Sequence, residues 1–293
     1  MQKQKILITG VDGFIGKYLF AELKNRGIDV SGVSKKELDI CDKESVNKFF
    51  QNKKFDIIFH LAALVSQKDE DFQNLFSVNC FGTENLLKAA VKNGVKKFIY
   101  SSSSSVYSRS EGKIPFKESF ACPDSIYGVS KLAGENLCEI YRKNYGLQTI
   151  SLRYASVFGY LQKENSVVPI FISNVLDGKN IQIFGRGVRT QDFIYVKDVV
   201  SANIKAAESK RTGIFNIGSG KEVSIVELAR KISKIFLQNK CDAQHIIVSK
   251  EDKSKGCLDI SKAKNILKFF PEYSLDKGLE DYKRSIYENR NNI

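Results

Sequence analysis

Ile6-Leu7-Ile8-Thr9-Gly10-Val11-Asp12-Gly13-Phe14-Ile15-Gly16 decides the fold of this chain. A short apolar run suited to a buried strand, 5–9, passes into glycines spaced GxxGxxG, and a helix-like stretch, 14–26, follows at once. Glycines permit the tight turn and bring backbone N–H groups close to a pyrophosphate, whose charge the helix N-terminus stabilises. The strand–loop–helix context is what separates such a loop from an ordinary glycine-rich turn. Gly10, Asp12, Gly13, Phe14, Ile15 and Gly16 are therefore expected to hold a dinucleotide.

The same alternation continues outward. Apolar runs at 28–33, 55–61, 97–101 and 148–153 are separated by helix-like stretches at 43–51, 71–93 and 125–145. Gly27, Gly94 and Gly146 mark helix ends. This pattern predicts an α/β fold, a Rossmann-type doubly wound parallel sheet with helices on both faces. The second half is less regular. Helices are expected at 166–176, 196–209, 223–236, 261–269 and 275–287, and one further core strand at 213–217. We expect a dinucleotide-binding domain at 1–155 plus 190–220, and a smaller C-terminal substrate-binding lobe at 156–189 plus 221–293.

Composition narrows the classes. The 293 residues are 42% hydrophobic and 11% aromatic, a globular balance. The formal charge of +13 attracts anions. The lysines are scattered in pairs such as Lys35-Lys36 and Lys96-Lys97, without a dense tract or nucleic-acid motif, so nucleic acid is not an expected partner. The six cysteines form no CxxC pair, and with only His60 and His245 no metal site is expected. The N-terminus lacks the apolar region of a signal peptide, and no apolar run spans a membrane, so the expected location is the cytoplasm with reduced thiols.

Tyr127 and Lys131 lie four residues apart, on one face of a helix, downstream of five consecutive serines, 101–105. A phenol ionises near pH 10, and a neighbouring ammonium lowers that value. With a serine hydroxyl on the same substrate oxygen, the set suits moving a proton while a nicotinamide moves a hydride. The second strand ends Gly32-Val33-Ser34-Lys35-Lys36, without the carboxylate that binds an NAD ribose. Ser34 and Lys35 are placed to hold a 2′-phosphate, and Asp39 and Ile40 to line an adenine pocket. The expected cofactor is NADP(H) or NAD(H), with a modest preference for NADP.

Taken in order, these residues resemble the extended short-chain dehydrogenases/reductases, and within them the sugar-nucleotide epimerase, dehydratase and reductase group. The resemblance rests on Gly10/Gly13/Gly16, His60-Leu61-Ala62-Ala63, Asn79-Cys80-Phe81-Gly82-Thr83, the segment 101–107, Tyr127/Lys131, Leu152-Arg153-Tyr154, Asp192-Phe193-Ile194-Tyr195-Val196 and Phe215-Asn216-Ile217-Gly218. It implies that Tyr127 is the acid/base, that Lys131 binds the nicotinamide ribose and lowers the tyrosine pKa, and that Ser103 is the catalytic serine. It further implies that Leu61, Ala62, Ala63, Ser101, Tyr154 and Val157 line the cofactor. Val65, Ser66, Ser104, Ser105 and Ser156 are then expected to face the substrate. His60 reads as a packing residue rather than a base.

The departures from the family narrow the chemistry. Its 4,6-dehydratases place an Asp-Glu pair where this chain has Ser104 and Ser105. Its decarboxylases place Glu, and its bifunctional 3,5-epimerase/reductases Cys, at Ser105. What remains is redox at one carbinol carbon. We expect a 4-ketoreductase on a nucleotide-linked sugar, because the acid for NAD is missing and the segment between the second and third strands is short. The alternative is an NAD-dependent nucleotide-sugar 4-epimerase. A non-catalytic dinucleotide-binding regulator is the remaining rival, against which the intact Ser103/Tyr127/Lys131 set argues. The family's pyrophosphate ligands are altered: Ser156 replaces an Asn, Gln191 an Arg, and an Arg near 256 is absent. Arg189 and Lys255 are the expected replacements. A homodimer through the helices at 71–93 and 125–145 is expected from the resemblance.

Overall fold

The computed structural model describes residues 4–66, 69–107, 114–163, 166–237, 243–246, 254 and 256–290. Its first half alternates β1 (Ile6–Thr9), α1 (Phe14–Asn25), β2 (Val30–Val33), α2 (Lys43–Phe50), β3 (Ile57–His60), α3 (Phe72–Phe76), α4 (Thr83–Lys92), β4 (Lys97–Ser103), α5 (Ile126–Tyr145) and β5 (Gln148–Tyr154). The second half contains β6 (Ser156–Phe158), α6 (Val167–Leu176), β7 (Ile181–Phe184), β8 (Thr190–Gln191), β9 (Phe193–Tyr195), α7 (Val196–Glu208), β10 (Gly213–Ile217), β11 (Val223–Ser224), α8 (Ile225–Leu237), β12 (Ala243–Ile246) and α9 (Leu275–Arg290).

Six strands form one parallel sheet in the order β10-β5-β4-β3-β1-β2. Strand order reverses between β1 and β3, so the loops that leave these two strands flank a crevice at the carboxyl edge, where open α/β sheets bind ligands. Side chains alternate between the two faces. Leu7, Ile58, Phe98 and Tyr100 join one core with Leu86, Leu87, Cys138 and Tyr141. Ile6, Ile8, Phe59 and Ile99 join the other with Leu19, Leu23, Val199 and Ala202. Burial on both faces is why these strands are apolar throughout rather than alternating. A further core gathers Phe171, Ile172, Ile181, Phe193, Leu228 and Leu279 from the second half, and Ile15, Tyr18 and Val157 pack against both it and the sheet core.

Three segments differ from expectation. The stretch read as one helix over 71–93 is α3, a π-helical turn Ser77–Gly82 and α4. Within that wide turn Asn79 directs its amide to other segments instead of to solvent. The helix expected from 223 begins at Ile225, because Val223 and Ser224 pair with β8 and the Ser224 hydroxyl accepts the N–H of Glu227 at 3.1 Å. The segment read as a helix over 261–269 centres on a π-helical turn, Ala263–Leu267.

A buried ion pair joins the sheet to α5. Arg153 on β5 donates to both carboxylate oxygens of Glu135 on α5, at 2.8 and 2.7 Å, with side chains 2% and 0% exposed. Ser102 donates to the same carboxylate at 2.5 Å, and Arg153 donates to Tyr107 Oη at 2.8 Å. The Tyr107 hydroxyl donates to Asn216 on β10 at 2.6 Å, and the Asn216 amide reaches Phe116 O and Asp259 O. Removing one partner of such a pair strands a buried charge. Arg153→Met is expected to cost about 3–5 kcal/mol in urea unfolding, with much of it recovered in the Glu135→Leu/Arg153→Met double variant. A single variant within about 1 kcal/mol of the parent would contradict this account of the pair.

Candidate active site

The glycine loop crosses the carboxyl edge of the sheet. Gly10 has φ +75°, and a methyl group there would lie 2.6 Å from Ala62 N, so glycine is required on both counts. Gly13 precedes α1 with no side-chain cap, leaving first-turn N–H groups for an anion. Asp12 and Gly13 are exposed, while the side chains of Phe14 and Ile15 pack into the second-half core, leaving backbone as their contribution to the loop. On the other side of the crevice, Leu61 N–H donates to Thr9 O at 3.1 Å and leads into the irregular segment 61–66. Ala62 and Ala63 are half-buried there, Val65 is exposed, and the Ser66 hydroxyl donates to Asp71.

The end of β2 corrects one expectation. Gly10 and Val11 N–H donate to Val33 O at 2.9 and 3.2 Å, so the glycine loop sits directly beside Ser34. Ser34 does not offer free donors: its N–H donates to Glu37 Oε2 at 2.8 Å, and its hydroxyl donates to the same oxygen. Within this turn the Glu37 carboxylate folds back onto the serine that follows β2. These bonds hold the Glu37 carboxyl below the usual carboxylate range. Lys35 is exposed. Asp39 accepts the Cys41 N–H at 3.0 Å, and Ile40 is buried against Gly82.

His60 is confined to packing. Its Nδ1 bonds Thr9 Oγ1 at 2.8 Å, its Nε2 bonds Thr83 Oγ1 at 3.0 Å, and burial pushes its pKa down to about 3. It stays neutral with both nitrogens satisfied.

Ser103, Tyr127 and Lys131 do converge. Ser103 ends β4, and its Oγ accepts the Ser105 N–H at 3.1 Å while its hydroxyl donates to Ser105 Oγ at 3.1 Å. The Tyr127 phenol lies close enough to Ser103 for that hydroxyl to oppose the upward shift of its pKa. Close approach makes this possible: a methyl group at Gly128 would lie 2.0 Å from Ser105 O, so α5 abuts the serine turn backbone to backbone. Ser125 caps α5 by accepting the Gly128 N–H at 3.1 Å. One turn further on, Lys131 is 2% exposed, and its Nζ lies 4.6 Å from the centre of the Tyr100 ring. Among the described residues no carboxylate or carbonyl accepts from that ammonium, and burial lowers its pKa to about 8. Burial dominates the phenol and pushes Tyr127 up to about 12, with Ser103 opposing.

Asn79, singled out only as part of a motif, organises this region. Its Oδ1 accepts the Leu64 N–H at 2.9 Å, and its amide donates to Leu64 O at 2.9 Å and Ser130 Oγ at 3.0 Å. It thereby ties the 61–66 segment to α5 beside Lys131. Beyond β5, the buried Tyr154 donates to Asn203 Oδ1 at 3.0 Å and also bonds Ser101. The Ser156 hydroxyl donates to the buried Gln191 Oε1 at 3.0 Å, which joins the two altered positions. Asp192, next in chain, accepts N–H groups of Ser219, Gly220 and Leu258. The Arg189 carbonyl accepts the Ile225 N–H at 3.1 Å and its side chain is half-buried. Lys255 lies outside the described residues. Among those residues, no group of three or more His, Cys, Asp or Glu is placed to hold a metal, and no helix is long and apolar enough to cross a membrane.

Comparison with known proteins gives concordant matches. The model of the NAD dependent epimerase/dehydratase family matches residues 6–218. A UDP-N-acetyl-alpha-D-glucosaminuronate decarboxylase of Bacillus cytotoxicus is 33% identical over 95% of this chain and 96% of its own. A UDP-glucose 4-epimerase of Thermotoga maritima, solved with UDP-glucose, superposes with a TM-score of 0.92 at 31% identity, covering 98% of this chain and 99% of that one. A UDP-glucuronic acid 4-epimerase variant of Bacillus cereus, solved with UDP-4-deoxy-4-fluoro-glucuronic acid and NAD, has a TM-score of 0.86 at 31% identity, covering 97% and 99%. The chain is thus an enzyme fold of the nucleotide-sugar type, and it belongs to the NAD-dependent epimerase/dehydratase family, within the extended short-chain dehydrogenases/reductases.

Proposed function

We propose that this chain inverts C4 of a nucleotide-linked sugar, using a nicotinamide dinucleotide held across the β1/β3 crevice. The observation that carries the reading is the convergence of Ser103 at the end of β4, Tyr127 at the start of α5 where that helix abuts the serine turn, and the buried Lys131 ammonium one turn on, with only hydroxyls at Ser104 and Ser105. Elimination in the resembling family uses an Asp-Glu pair where Ser104 and Ser105 stand, and decarboxylation a Glu where Ser105 stands, so neither chemistry is assigned to this chain. The likeness to two 4-epimerase structures supports inversion. A 4-ketoreductase shares every residue of the site. It is favoured by one feature, the direct passage from β2 through α2 to β3 with no strand inserted.

The residues fit the cofactor: an uncapped α1 N-terminus and a glycine cradle suit a pyrophosphate, and a buried ammonium that no acceptor among the described residues engages suits ribose hydroxyls. When bound, the nicotinamide accepts and returns the C4 hydride. Tyr127, as phenolate, takes the proton of the C4 hydroxyl as that bond to hydrogen breaks and the carbonyl forms, then returns it to the opposite configuration. Ser103 donates to the C4 oxygen throughout. Lys131 holds the ribose and, once near the phenol through a ligand, favours its ionised form. Ser156 and Gln191, with Arg189 and Lys255, are assigned to the substrate diphosphate, where an arginine gives a bidentate contact.

Tyr127→Phe is expected to lower kcat at least about a thousandfold while the dinucleotide Kd changes less than about threefold, measured by calorimetric titration beside C4-inversion assays. Full turnover in that variant would remove Tyr127 from the mechanism. We extend the proposal to a two-fold homodimer through the face where Phe81, Val129 and Ile140 are 63%, 42% and 48% exposed. Sedimentation equilibrium is expected to show a dimer that Phe81→Asp/Ile140→Glu converts to monomer, and a monomeric parent chain would refute the assembly.

A further inference from the structure

We propose that Tyr100 is a positioning residue: the face of its buried ring holds the Lys131 ammonium in its charged form while leaving its N–H donors free for a ribose, an inference that rests on the reading of the crevice as a dinucleotide site. Tyr100 lies on β4, three residues before Ser103, and is 1% exposed. The Lys131 Nζ stands 4.6 Å from its ring centre, inside the range of a cation–π contact. The ring is fixed by α5 itself. Its hydroxyl donates to Lys131 O at 3.4 Å, and a methyl group at Gly134 would lie 2.2 Å from Tyr100 Oη. Glycine is unfavourable inside a helix, and here it is what admits the phenol. One side chain thus meets the same lysine twice, its ring at the ammonium and its hydroxyl at the carbonyl.

A buried ammonium must be compensated or it loses its proton. The titratable groups around Lys131 are Tyr127, Glu135 and Cys138 on α5, Cys80 in the π-helical turn, His60 on β3 and Tyr100 on β4. Glu135 favours the charged form, but both of its oxygens are engaged by Arg153 and one also by Ser102. Burial pushes both thiols up, so they stay neutral. His60 is neutral too, its ring centre 5.8 Å from that of Tyr100, so it brings no second cation to the ring. The Tyr100 face is the group left to meet the ammonium. An aromatic face attracts a cation through its quadrupole without taking a directed hydrogen bond, so the three donors stay available. A carboxylate in the same place would hold those donors, and a ribose would have to displace it.

The test is lysine-selective NMR of the ligand-free chain across pH, with the Lys131 signal assigned by its loss in Lys131→Arg. The parent value is expected near the burial-lowered value of about 8. Tyr100→Phe keeps the ring and is expected to stay close to it. Fluorinating that phenylalanine in steps weakens the face at nearly constant shape. Because the charged form loses support, the Lys131 pKa is expected to fall stepwise, by about one pH unit in all, and Tyr100→Leu is expected to show the full fall. Calorimetric titration with NADH reads the consequence. The fully fluorinated variant is expected to lose about fivefold in affinity at pH 8 and little at pH 6, where the ammonium is charged in every variant. A Lys131 pKa that ignores fluorination overturns the proposal, as does an affinity loss equal at both pH values, which would mark a packing role alone. The fluorinated series keeps the test decisive where Tyr100→Leu does not fold. A stepwise fall in a chain that binds neither NADH nor NADPH upholds the hold of Tyr100 on the ammonium and removes the dinucleotide reading.

Discussion

The Glu135–Arg153 pair is the constraint on which the rest depends. Its two chains of hydrogen bonds run in opposite directions from one buried carboxylate. One reaches Ser102, the neighbour of Ser103, and so fixes the end of β4 against α5. The other runs through Arg153 and Tyr107 to Asn216, and fixes β5 and β10 against the segments at 116 and 259. A pair of this kind contributes little net stability over apolar replacements, but it is costly to satisfy in any other register. The register it fixes is the one in which Tyr127 meets Ser103.

Around that frame the site is a set of charges awaiting partners. The Lys131 ammonium is buried over an aromatic face without a hydrogen-bond acceptor among the described residues, and the α1 N-terminus has no side-chain cap. Burial pushes the Tyr127 phenol up, with Ser103 opposing. His60, by contrast, is neutral and bonded at both ring nitrogens, between Thr9 and Thr83.

Local patterns made much of this legible. The glycine loop, the parallel alternation and the Tyr127/Lys131 spacing depend on neighbours within a few residues, and all stand where the chain placed them. What escaped depends on long-range or returning contacts. Glu135 and Arg153 meet only because β5 lies beside β4 under α5. Asn79 acts through a π-helical turn that a uniform helical period conceals. Glu37, three residues after Ser34, turns back to accept from it, a local return that the two intervening lysines conceal.

The most direct test of the central claim is proton NMR of nucleotide sugars incubated with the NAD-loaded protein in heavy water, starting with UDP-glucose and UDP-glucuronic acid. The account predicts that the C4-inverted sugar appears with its own hydrogen retained at C4 and with no net change in the dinucleotide. Absence of inversion with every nucleotide sugar, alongside stoichiometric oxidation of the reduced dinucleotide by a 4-keto sugar, would contradict it and establish the reductase.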